Sequence, residues 1–126
     1  MSMGDPNGAA LNTGKAALMA ALLAKQEIGS ASQARLKSLE AFLRTQENVY
    51  RAMALFQQSG EHIPASGGVC QTMSLASTYE KQAQKLLPDQ SSKNSLFQNL
   101  PSELNEWKEM IEELQNEFEC VPGRDH

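Results

Sequence analysis

The sequence predicts an all-α protein: an antiparallel helical bundle, or an extended helical hairpin, of three to four amphipathic helices. Three observations predict it. Apolar residues recur at alternating spacings of three and four over residues 36–56 and again over 104–121, the period of a helix buried along one side. Aromatics make up only 6% of the 126 residues, so the core must come from Leu, Met and Ala, which favour helix over sheet. Gly and Pro gather at 4–8, 60–68 and 122–123 and otherwise stand singly, at Gly14, Gly29, Pro88 and Pro101, which leaves stretches long enough for helices.

The elements follow in order. Residues 1–12 carry Gly4, Asp5, Pro6 and Gly8 without a period and are expected to form a flexible N-terminal arm. Asn12 or Thr13 then caps a first helix over about 14–28. At Gly29 two outcomes are open. Ser30 and Gln33 have capping-box spacing, which favours a break, yet Leu22, Gly29, Leu36, Leu43 and Tyr50 keep a seven-residue spacing straight through. An unbroken helix over 15–59 would be roughly 65 Å long.

The second helix, about 31–59, carries the strongest stripe: Leu36, Leu39, Leu43, Gln46, Tyr50 and Met53, widened by Phe42, Val49 and Phe56. Glu40 before Arg44 and Glu47 before Arg51 stand in the favourable i,i+4 order. Gln46 is a polar residue at a seam position, where it could fix register or lie at the solvent edge. A turn around Pro64, Gly67 and Gly68 leads to a third helix over about 68–87, ended by Pro88. A polar, Ser-rich loop over 88–99 follows. Pro101 suits the first turn of a fourth helix over about 100–120, whose stripe is Leu104, Trp107, Ile111, Leu114, Phe118 and Val121. Pro122 and Gly123 open a C-terminal tail over 122–126. Residues 13–121 thus read as a single helical domain.

Charge is unevenly divided. The chain carries a net charge of −4, which gives no general attraction to nucleic acid. Between positions 103 and 119 seven Glu face one Lys, a net −6, while 12–59 holds six basic and three acidic residues, a net +3. Glu106, Glu109, Glu112, Glu113 and Glu117 therefore form a candidate acidic recognition face, or a solvated one. The apolar run at 16–24 is too short to span a bilayer and, being Ala-rich, makes a weak surface anchor. Membrane contact is not expected.

Catalytic chemistry is missing from the pattern. His62 sits in a turn and His126 at the C-terminus, with no third group to orient either, and Cys70 near His62 lacks an oxyanion-hole signature. The spacings fit neither zinc nor carboxylate-bridged metal sites, and no Gly-rich phosphate loop is present. No cofactor, metal or catalytic residue is expected. Cys70 and Cys120 are too few for a disulfide framework and are expected to be reduced thiols of a cytoplasmic protein, a single bridge in a secreted or periplasmic one being the alternative.

The expectation is a non-enzymatic protein–protein interaction module, an adaptor or subunit of a larger assembly, acting through helix pairing with a protein partner or with itself. Its candidate interaction surface is Leu36, Leu39, Phe42, Leu43, Gln46, Tyr50, Met53, Trp107, Ile111, Leu114 and Phe118. The alternatives are a small acidic chaperone or secretion-linked protein binding a helix of its client, and a membrane-surface protein using the 15–28 helix.

Overall fold

The computed structural model describes residues 6–27, 29–58, 68–87, 99–118 and 120. Four helices account for nearly all of them: α1 (Pro6–Gln26), α2 (Ser30–Gln58), α3 (Gly68–Leu86) and α4 (Leu100–Glu117), and no strand occurs among the described residues. The fold is an all-helical bundle.

The break in the first half of the chain falls at Gly29, so 15–59 is two helices and not one rod. Gln33 makes the corner. Its side-chain Nε2 donates to the carbonyl of Ala24 at 3.2 Å, and its backbone N–H donates to the carbonyl of Gly29 at 2.9 Å. One residue thus satisfies a C-terminal acceptor of α1 while opening α2. Gln33 does cap, but it caps the preceding helix.

α1 starts eight residues earlier than the expected 14, at Pro6. Proline is at ease in a first turn, where its missing N–H would have had no intrahelical partner. Gly8 and Gly14 do not interrupt the helix, because Ala9, Ala10 and Leu11 between them are strong helix formers. Residues 6–12 of the expected arm are therefore helical; residues 1–5 lie outside the described part, as do most of the expected loop (88–98), Val121 of the expected stripe and the tail (122–126).

α2 is the longest helix, with 29 residues, and everything is built on it. α1 folds back along it through the short 27–29 corner. α3 runs antiparallel to α2: Ser38 Oγ, early in α2, donates to the carbonyl of Ala83, late in α3, at 2.8 Å. α4 returns antiparallel to α3. Pro101 lies in its first turn, with Glu103 close enough to favour the helix dipole. α1 packs extensively on α2 alone, whereas α3 and α4 also pack on each other.

The apolar stripes of α2 and α4 meet inside this bundle. One cluster buries Val49, Ala52, Val69, Met73, Ala76, Ile111 and Phe118; the other buries Ala41, Phe42, Ala83, Leu100 and Leu104. Trp107 packs against both. Its ring meets Phe42 edge-on at 6.3 Å and Tyr50 at 5.8 Å, while Phe118 lies 4.8 Å from Phe56. These aromatic pairs hold α4 over α2 along its length.

Cys70 and Cys120 form a disulfide, with Cα atoms 5.3 Å apart. This corrects the expectation of two reduced thiols. The reason is topological: α3 and α4 are antiparallel, so the start of α3 and the end of α4 share one end of the bundle. Fifty residues of sequence separation hid that neighbourhood.

Candidate interaction surface

The expected contact residues divide by burial. Phe42, Ile111 and Phe118 are buried, and Leu36, Leu39, Leu43, Gln46, Tyr50, Met53, Trp107 and Leu114 are half-buried. Among them Leu36, Leu39, Met53, Trp107 and Leu114 pack on the two core clusters. The stripes on α2 and α4 thus serve chiefly to join this chain's own helices. Gln46 is half-buried, neither sealed in a seam nor fully in water.

The surface holds its large apolar residues elsewhere. Leu11, Leu18, Met19, Leu22 and Leu23 of α1 are 50–60% exposed. The residues α1 buries instead are Pro6, Ala10, Gly14, Ala17, Ala20 and Ala24. The two sets alternate round the helix: 11, 18 and 22 fall on one line at helical spacing, with 19 and 23 beside it, while the small residues form the opposite stripe. Lys15 and Lys25 are exposed among the large residues, and no carboxylate occurs between positions 6 and 26.

Small residues face α2 because the two backbones lie close. A Cβ added to Gly14 would stand 2.8 Å from Oε2 of Glu47 and 3.3 Å from its Cδ. Glu47 is buried and pinned from both sides: Arg44 Nη1 donates to Oε1 at 2.8 Å, and Arg51 Nη2 to Oε2 at 3.0 Å. The expected Glu47–Arg51 pair is present, whereas Arg44 turns to Glu47 and not to Glu40. The double ion pair fixes a charged side chain beneath α1, where Gly14 leaves room for it.

The acidic face is as exposed as its composition suggests. Glu106, Glu109, Glu112, Glu113 and Glu117 all point into water, as does Glu103. Within α3, Gln84 Nε2 donates to the buried carboxylate of Glu80 at 3.0 Å, and across to α4 it lies 3.5 Å from Asn105 Oδ1.

Cys70 has its sulfur in the disulfide, and His62 and His126 lie outside the described residues. Among the described residues there is no group of three or more His, Cys, Asp or Glu placed to hold a metal, and no helix long and apolar enough to cross a membrane.

The outward face of α1 is the part sequence reasoning missed. Its signal was present as two interleaved stripes, Ala and Gly on one side and Leu and Met on the other, which a search for one apolar face merges into a broad, weak one. No known protein family, curated protein or solved structure matches the chain.

Proposed function

We propose that this chain is a non-enzymatic helical interaction module, a subunit of a larger assembly that engages its partner through the outward face of α1. The observation that carries the reading is the row Leu11, Leu18, Met19, Leu22 and Leu23, each at least half exposed. Scattered apolar residues are ordinary on a protein surface, but five large ones on one face of one helix form the kind of patch that marks a contact site. The stripes on α2 and α4 support the same reading from the other side, since they are occupied within the chain.

The disulfide supports a compartment. Bridges persist in oxidising surroundings and are rare in the cytosol, so Cys70–Cys120 favours a secreted or periplasmic setting over a cytoplasmic one.

The test is photo-crosslinking in the native source, with a photoreactive amino acid at Leu22 in one variant and at Glu109 in another. Both sites are exposed, so neither replacement disturbs the core. The expected result is a discrete higher-mass adduct from position 22 and none from position 109. Adducts from 109 alone would transfer the contact to the acidic face, and adducts from neither would overturn the proposal.

A further inference from the structure

We infer that the occupant of the α1 face is a second copy of this chain, paired through α1 in an antiparallel, two-fold symmetric contact. The inference rests on the reading of α1 as the contact face and names its partner.

The first ground is the helix itself. α1 carries apolar residues on two opposite faces: Ala10, Gly14, Ala17, Ala20 and Ala24 lie against α2, and the large residues lie opposite, with Lys15 and Lys25 among them. A helix of that kind belongs in an interior, covered on both sides. α2 covers one side. The other awaits an element equally apolar, and α1 of a second copy is one.

The second ground is register. A two-fold axis through the middle of the 18–23 stretch sets Leu18 opposite Leu23 of the second copy, and Met19 opposite its Leu22. Four large apolar side chains from each chain then interdigitate. The same register places Lys15 opposite Gln26 and next to Glu27 of the second copy, so its ammonium gains acceptors there, while Lys25, the other charge of the stripe, lies at its edge level with Ala16. Leu11 is level with Ser30 of the second copy, past the end of its α1, and stays outside this pairing.

The third ground is area. Four large side chains at 50–60% exposure offer on the order of 400 Å² per chain, or about 800 Å² for the pair, the size of a weak, reversible contact. Closed two-fold pairs are also the commonest form of self-association, because one patch serves both partners.

Electrostatics select this face over α4. Pairing through α4 would oppose two surfaces that each carry six exposed Glu, and like charges across an interface disfavour it. α1 has no extensive contact with α4, so a dimer through α1 leaves both acidic faces in water.

Sedimentation of the oxidised full-length chain, from about 1 to roughly 200 µM, reads the outcome. The expected limiting mass is twice 13.8 kDa. Leu18→Glu or Leu22→Glu should raise the dissociation constant at least about 100-fold, with far-UV circular dichroism unchanged because these side chains are exposed in the single chain. Leu75→Glu, at a comparably exposed leucine on α3, should leave the dimer intact. A chain that stays monomeric across the range overturns the inference, as does a dimer indifferent to Leu22→Glu. If the chain is monomeric yet position 22 crosslinks to a different protein, the α1 contact face stands and its self-pairing falls.

Discussion

α1 and α4 are similar in length, at 21 and 18 residues, and they bury opposite kinds of side chain. α4 turns Leu100, Leu104, Ile111 and Phe118 inward and its glutamates outward. α1 turns alanine and glycine inward and leaves leucine and methionine in water. The difference is one of distance between backbones. α4 stands off from its neighbours by the width of an aromatic ring, with Trp107 between Phe42 and Tyr50. α1 lies so close to α2 that Gly14 leaves just enough space for the carboxylate of Glu47. A helix buried on its small residues gains less from burial than one buried on large residues, since the gain scales with apolar area. α1 and α4 therefore bury different kinds of surface, and α1 leaves the more apolar one in water.

Four measurements can break or sharpen that contrast. Removing the disulfide with Cys70→Ala/Cys120→Ala should cost the most, about 4 kcal/mol for a closed loop of this span, read from urea unfolding of the two forms. Leu104→Ala, at a fully buried position in α4, should cost about 3 kcal/mol in the same assay. Gly14→Leu should cost about 2 kcal/mol by forcing α1 off the pinned Glu47 side chain; hydrogen exchange should then speed up in α1 and not in α4. Leu22→Ala should change stability by less than about 0.5 kcal/mol at dilutions where the chain is monomeric, since this leucine is 54% exposed. If Leu22→Ala proved as costly as Leu104→Ala, the two helices would be buried alike and the contrast would be lost.

Much of the fold was legible in the residues. The alternation of three and four over 36–56 and 104–121 located α2 and α4 and their inward faces, because large apolar residues on a helix with a charged reverse have one place to go. Gly29 with Gln33 marked the corner, although the acceptor that Gln33 reaches belongs to the earlier helix. The start of α1 at Pro6 was less legible, since Gly4 to Gly8 has the composition of a loop, which Pro6 in the first turn and the helix formers after Gly8 outweigh. The burial of the candidate surface was not legible for a related reason. Periodicity reports which residues share a face, but not whether that face meets the chain's own helices or the outside. On α2 and α4 it meets the interior; on α1 the face bearing the larger residues does not. The acidic face was visible from charge counts alone, as solvated glutamates need no tertiary information to be placed.

The Cys70–Cys120 bond also makes the C-terminal half a covalent ring that contains α4 and all of α3 after Val69, with α1 and α2 hanging from it as an open branch. One backbone cut between positions 88 and 98 would leave the pieces linked, comigrating on a gel until a reductant parts them. One cut between 59 and 67 would shed the branch in denaturant without any reductant. Protease nicking, compared on reducing and non-reducing gels, would thus reveal the topology of the molecule directly.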